Sequence, residues 1–354
     1  MSEPSLRPVA GTPRQVVALL RDWLAEPDPV EPLAIATSGS TGAPKHVLLS
    51  RSAVVASATA THHRLGGRGQ WLLDLPPTYV AGLQVIVRSL LAGREPVVAD
   101  DHDSFRSAVA ALTSGVRYVS LVPTQLHRLV DSGEVGVLRS FDAVLLGGAA
   151  SPPSLVDAAR GAGIRVVRTY GMSETSGGCV YDGRPLDGVS VRIGDDRRVH
   201  LAGPMLFDGY AGDGAATREV LHDGWFATSD LGELNDDGTL RIIGRVDDVI
   251  ISGGVNIPLP AVTEVLRSYN AVREAVVVGV DDDEWGTRVV ACVVSDESVD
   301  LESVRGMVER AGLPRAWGPR QLVVLDAMPL LSNGKVDRLA LRTHATRDSA
   351  SGRG

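Results

Sequence analysis

Thr37-Ser38-Gly39-Ser40-Thr41-Gly42-Ala43-Pro44-Lys45 follows the apolar Leu33-Ala34-Ile35-Ala36, and its hydroxyls, glycines and closing lysine are the parts of an anion loop. Glycines let backbone N–H groups approach an anion, hydroxyls add donors, and the lysine brings a mobile positive charge. It is not a Walker A loop, because Gly39 and Gly42 stand too close together and Pro44 precedes the lysine. A Ser/Gly-rich turn serves equally well as a plain linker. Ser50 can cap a helix over residues 53–63, which places the stretch between a strand and a helix.

The surrounding chain narrows the choice. Its 354 residues are enough for two domains, since one core rarely grows past about 250–300 residues. Hydrophobic residues make 44% and charged residues 22%, no apolar run approaches a membrane span, and the N-terminus has no basic-then-apolar leader. A cytoplasmic protein is expected. Cys179 and Cys292 are the only cysteines, which excludes a disulfide framework and a cysteine zinc site. The net charge of −8 argues against nucleic acid as a partner. Of 35 basic residues only two are lysines, Lys45 at the end of the glycine loop and Lys335 in Ser332-Asn333-Gly334-Lys335. A lysine in a chain that otherwise uses arginine marks a place where a compact ammonium is needed, unless chance put it there.

Thr12-Pro13 opens an amphipathic helix through Val16, Val17, Leu20 and Trp23. From residue 70 to 171, apolar runs at 71–75, 96–99, 118–122, 143–146 and 164–169 alternate with helical stretches at 81–92, 104–112, 124–130 and 152–159. That alternation predicts a mostly parallel α/β sheet, with ligands beyond the carboxyl ends of its strands, where Gly147-Gly148-Ala149 and Tyr170-Gly171 fall. After Gly177 short strands and turns predict an antiparallel portion, including a tight turn at Asp236-Asp237-Gly238. A second small α+β unit is expected after Asp247, and the polar tail 343–354 is expected to be disordered.

Four further stretches, together with the loop, resemble the adenylate-forming superfamily of acyl-CoA synthetases, carrier-domain adenylating modules and luciferases. They are Tyr170-Gly171-Met172-Ser173-Glu174-Thr175, the segment Gly224–Gly232 with Asp230, Ile243-Gly244-Arg245-Val246-Asp247-Asp248, and Leu331-Ser332-Asn333-Gly334-Lys335. The resemblance implies a large N-terminal domain over 1–244 with mostly parallel sheets and a small antiparallel portion, a hinge at 245–248, and a mobile C-terminal α+β domain over 249–342. It further implies that Thr37, Ser38, Gly39, Ser40, Thr41, Gly42 and Lys45 hold ATP phosphates, and that the Gly147-Gly148-Ala149 turn and Tyr170-Gly171 border the nucleotide. Ser173 would contact the α-phosphate, Glu174 would hold Mg²⁺, Asp230 would bind ribose, and Arg245 would lie near ribose and phosphate. Asp247 would absorb the hinge rotation, Gly253-Gly254 would face the CoA thiol, and Lys335 would act on the phosphorus during adenylation. ATP, Mg²⁺, CoA and a small carboxylic acid are the partners implied; monomer and homodimer both stay open.

Within the superfamily, the early position of the glycine loop, the stretch Asp74-Leu75-Pro76-Pro77-Thr78-Tyr79-Val80-Ala81-Gly82 and the Gly147-Gly148-Ala149 turn are similar to the compact o-succinylbenzoate–CoA ligases of menaquinone biosynthesis. A ligase for another aromatic or fatty acid, or a module loading a carrier protein, is the alternative, and a regulatory nucleotide binder without catalysis is the rival from another class. Tyr79 and His46 depart from the family's usual histidine and glycine, and Ala261 from an acid. For the second carboxylate of such a substrate, Arg88, Arg168, His62 and His63 are the candidate cations.

Overall fold

The computed structural model describes residues 6–37, 45–269, 271–295, 297–331, 334 and 336–351. They form two compact units, one spanning 1–228 with 234–241 and the other 229–233 with 242–354. The change of unit at 241/242 lies just before the expected end of the N-terminal domain at residue 244, and the five residues around Asp230 group with the second unit.

In the first unit, a seven-stranded sheet has at its centre the parallel strands Val166–Met172, Ala143–Leu146, Arg117–Leu121, Gln70–Leu73 and Val97–Val98. Gly177–Tyr181 and Arg184–Pro185 extend one edge in antiparallel fashion. Ala143–Leu146 is buried along its whole length, as a strand covered by helices on both faces must be. Two apolar clusters divide those faces: Trp71, Leu73, Tyr118 and Leu145 point into one, and Leu72, Val119, Val144 and Leu146 into the other. Full burial of each such aliphatic side chain contributes about 1.5–3 kcal/mol. Trp71 and Tyr118 add an aromatic contact, with ring centroids 4.9 Å apart.

Helix Pro13–Ala25 begins as expected, with Thr12 and Gln15 forming a capping box and Pro13 in the first turn, and it buries Val16, Val17, Leu20 and Trp23. Ser50 likewise caps helix Arg51–Leu65. The glycine loop is placed differently from the expectation. A strand, His46–Leu49, stands between it and that helix and pairs antiparallel with Leu33–Ala36, so that Ala36 faces His46 and Leu33 faces Leu49. The loop is therefore the tip of a β-hairpin. Alternation explains why: Leu33, Ile35, Val47 and Leu49 share the buried face, a period of two that four residues display too briefly to stand out in the sequence. Gly209–Tyr210 adds a further strand beside His46–Leu49.

The second unit has a hairpin, Val249–Ser252 with Val255–Pro258, and a three-stranded sheet of Val272–Asp282, Gly286–Ser295 and Gln321–Val324. Helices Leu259–Arg267 and Leu301–Arg310 bury Val262, Leu266, Val304 and Val308. The tail corrects the expectation of disorder: Arg338–Ser351 is a helix, because Leu341 and Ala345, one turn apart, are buried against Val276, Val278 and Val323 of the sheet. No helix among the described residues is long and apolar enough to cross a membrane.

Candidate active site

The first unit gathers its functional side chains around an aromatic ring. Ser38 to Gly42 lie outside the described residues, but the base of their hairpin is defined: Thr37 N–H donates to the Lys45 carbonyl at 2.8 Å, and the Thr37 hydroxyl reaches the same oxygen at 3.2 Å. The Lys45 ammonium stands over the face of Tyr210, 4.7 Å from its centroid. The Tyr210 hydroxyl donates to Glu174 Oε1 at 2.9 Å. Lys45 and Glu174, expected to handle phosphate and magnesium, are thus joined through a residue that the sequence reading did not single out. Being one of six tyrosines in an aromatic-poor chain was its only mark. Burial, and then the Glu174 carboxylate, push the Tyr210 phenol above its ordinary range, which keeps it a hydrogen-bond donor.

Glu174 sits on the single 3-10 turn Ser173–Thr175 that ends strand Val166–Met172. The Thr175 hydroxyl accepts from Met172 N–H at 2.9 Å and donates to the Gly177 carbonyl at 2.7 Å. Ser176, held at φ +50°, donates its hydroxyl to the Met205 carbonyl at 2.8 Å. This buried scaffold turns the chain sharply and presents Ser173 and Glu174 at the carboxyl end of the sheet. Tyr170 and Gly171 are not in a terminal loop, as expected, but inside the strand, which continues to Met172 and pairs with Gly177–Tyr181 across a bulge. A Cβ at Gly171 would lie 2.1 Å from the Gly177 carbonyl oxygen, so the close crossing of the two strands requires glycine there. Gly147-Gly148-Ala149 follows strand Ala143–Leu146 as placed; Gly148 has φ +80°, and a Cβ at Gly147 would meet the Thr169 hydroxyl at 2.3 Å.

The second unit holds the other expected residues. Asp230, 6% exposed, accepts from Arg245 Nη1 at 3.1 Å, which brings the expected ribose acid and hinge-proximal arginine together. Val246–Asp248 form a 3-10 turn, the side chain of Asp247 being outside the described residues, and Asp248 accepts from Arg338 Nη1. Gly253 and Gly254, both with positive φ, turn the hairpin Val249–Pro258, and Gly253 N–H donates to the Trp285 carbonyl at 3.0 Å. Lys335, with Ser332 and Asn333, lies outside the described residues; its flanks are closed by a bridge between Leu330 and Val336 and by Gly334 N–H donating to the Leu331 carbonyl at 2.9 Å.

The candidate cations for a second carboxylate are engaged elsewhere. Arg88, in the last turn of helix Val80–Leu91, stacks on Trp71 at 5.1 Å and donates to the Tyr181 hydroxyl at 3.4 Å. Trp71 begins its strand and Ser89 caps its N–H, so this cluster lies toward the amino end of the sheet, away from Glu174. His62 is 4% exposed, and burial followed by the Arg88 charge lowers its pKa to about 4, leaving it neutral near pH 7. His63 pairs with Asp187 at 3.3 Å, and Arg168 with Asp182 at 3.3 Å. Cys179 and Cys292 are buried with thiols pushed up to about 12, which rules out a thiolate nucleophile.

Magnesium fits this donor set. It prefers one or two carboxylates with substrate phosphates and water to an all-protein cage. Glu174 offers one carboxylate with a hydrogen bond on Oε1, and among the described residues no cluster of three or more His, Cys, Asp or Glu could hold a metal alone.

Residues 13–210 match the family described as AMP-binding enzyme, and residues 261–335 its C-terminal domain. The chain is 43% identical over 351 residues to a probable 2-succinylbenzoate–CoA ligase of Mycobacterium tuberculosis strain H37Rv, covering 96% of this chain and 91% of that one. It is similar to the solved o-succinylbenzoate CoA synthetase of Bacillus subtilis in complex with its acyl-adenylate intermediate, with a TM-score of 0.76 and 29% identity over 88% of this chain and 68% of the other. The same enzyme with ATP and magnesium ion gives a TM-score of 0.74 at 28% identity, over 88% and 69% of the two chains.

Proposed function

The chain belongs to the AMP-binding enzymes, and from that premise we propose that it is an ATP-dependent acid–thiol ligase that converts o-succinylbenzoate to its CoA thioester in the cytoplasm. In the first half-reaction a carboxylate oxygen bonds to the α-phosphorus of ATP as the bond to the β-phosphate breaks, giving acyl-adenylate and pyrophosphate. In the second, the CoA sulfur bonds to the acyl carbon, AMP leaves, and the thiol proton passes to solvent.

Each residue then has a task. Thr37 and Lys45 close the hairpin whose glycine tip would cradle the β- and γ-phosphates, so this loop holds the group that departs. Ser173 offers a hydroxyl to the α-phosphate and Glu174 a carboxylate to the metal that accompanies ATP, while Tyr170, Gly171 and Gly147–Ala149 border the nucleotide. Magnesium, when bound, offsets phosphate charge as it builds on the leaving oxygen. Asp230 accepts from the ribose hydroxyls and is oriented by Arg245. Lys335 stabilises negative charge on the α-phosphate as the carboxylate attacks. Rotation about Asp247 then withdraws it and brings the Gly253-Gly254 turn to the thiol.

The observation that carries the reading is the grouping of Lys45 and Glu174 around Tyr210 at the carboxyl end of the sheet, on a chain so similar to curated succinylbenzoate ligases. The test is CoA-dependent AMP formation with o-succinylbenzoate, benzoate, a fatty acid and acetate. Turnover at least tenfold faster with o-succinylbenzoate is expected. Preference for another acid would reassign the substrate, and thioester formed only on a carrier-protein phosphopantetheine would replace CoA as acceptor.

A further inference from the structure

We propose that Tyr210 is a positioning residue for the nucleotide site, holding the Lys45 ammonium against its ring and turning the Glu174 carboxylate through one hydrogen bond, so that both charges are set before Mg·ATP arrives. The assignment rests on the acyl-adenylate reading above. Lys45 and Glu174 have opposite charges, and a direct ion pair would neutralise the ammonium wanted for phosphate and occupy the carboxylate wanted for the metal. Among the described residues the ammonium meets the ring face at 4.7 Å, while the hydroxyl at the ring's far end meets Glu174 Oε1 at 2.9 Å. The ring is a spacer. It fixes both groups and keeps the charges apart, and the bond on Oε1 leaves Oε2 for a cation.

Tyr210 is itself held from several sides. Its backbone pairs with Val47 of the hairpin strand that follows Lys45, and its N–H donates to the Thr217 hydroxyl at 2.9 Å. Phe207 packs edge-on at 5.1 Å, and Phe207 N–H donates to the Glu174 carbonyl at 2.9 Å. The strand that carries Tyr210 is thus bonded both to the stem of the glycine hairpin and to the turn that carries Glu174. Ligand orientation by such an outer hydrogen bond is commonly worth about 10–100-fold in metal affinity.

The experiment compares the full chain with Tyr210→Phe, which keeps the ring and loses the hydroxyl, and Tyr210→Leu, which loses both. ATP affinity is measured by calorimetry in EDTA and in Mg²⁺, and Mn²⁺ serves as a paramagnetic probe of metal binding to the enzyme–ATP complex. Tyr210→Phe is expected to weaken Mn²⁺ binding about 10–100-fold with metal-free ATP affinity within about twofold of the parent. Tyr210→Leu should in addition weaken metal-free ATP binding about threefold or more, through loss of the cation–π contact. Unchanged Mn²⁺ affinity in Tyr210→Phe, or equal losses with and without metal, overturns the assignment. Failure of the parent protein to bind ATP at all would overturn the nucleotide reading itself, before any variant is compared.

Discussion

Arg88 is 3% exposed, stacked on Trp71 and bonded to the Tyr181 hydroxyl, and burial pulls its pKa down. Its Nε has no hydrogen-bond partner, and neither has Nε2 of the buried His62. A buried cation without a carboxylate costs stability, so its replacement by an apolar side chain of similar length should not harm the fold. Arg88→Met is expected to melt at or above the parent temperature and to leave the KM for the acid within about twofold, since Thr61 still bonds the Tyr181 hydroxyl at 2.9 Å. A large rise in that KM with unchanged melting would return Arg88 to the acid site. In the sequence Arg88 and Lys45 are both basic residues near motifs. Only packing separates the cation that faces the nucleotide turn from the one sealed at the other end of the sheet.

Asp74 shows the same principle one level up, because its chemistry follows from the strand it terminates. It comes directly after Gln70–Leu73, its main-chain carbonyl and Oδ2 accept from Gln125 Nε2 at 2.7 and 3.2 Å, and Asp100 is a charged neighbour. Burial first, and Asp100 second, raise its pKa from 3.8 to about 6. The folded protein therefore holds a proton that the unfolded chain releases between those values, and stability falls as pH rises through that window. Asp74→Asn is expected to show a melting-temperature gain over the parent that grows from pH 4 to pH 6 and stays constant above. A gain that is flat with pH would contradict this. The parallel strands and their helices were readable to within a few residues, since runs such as Ala143–Leu146 are apolar throughout and Thr12-Pro13 and Ser50 mark helix starts. Strand His46–Leu49 and helix Arg338–Ser351 were not. The first is too short to display its alternation, and the second is polar except for the two residues that the sheet covers.

At the scale of the whole molecule the chain is two units, each carrying part of the expected chemistry: Lys45, Tyr210 and Glu174 in one, Asp230, Arg245 and the Lys335 loop in the other. A two-step reaction on such a chain makes a specific prediction. Lys335→Ala should slow pyrophosphate release from acid and ATP by about 100-fold or more, while thioester formation from supplied acyl-adenylate stays near the parent rate. Equal loss in both halves would remove the rotation from the mechanism. The sequence by itself determined the chemistry available, because each motif is a run of a few residues whose side-chain types and spacing survive without any partner. It could state that a glycine loop with Lys45, an acid at Glu174, an acid at Asp230 and a second lone lysine belong to one reaction. Only the tertiary structure decided which groups meet. Tyr210 reaches Glu174 across 36 positions and Arg88 reaches Tyr181 across 93, contacts made by strand pairing and burial, to which no local pattern in the chain corresponds.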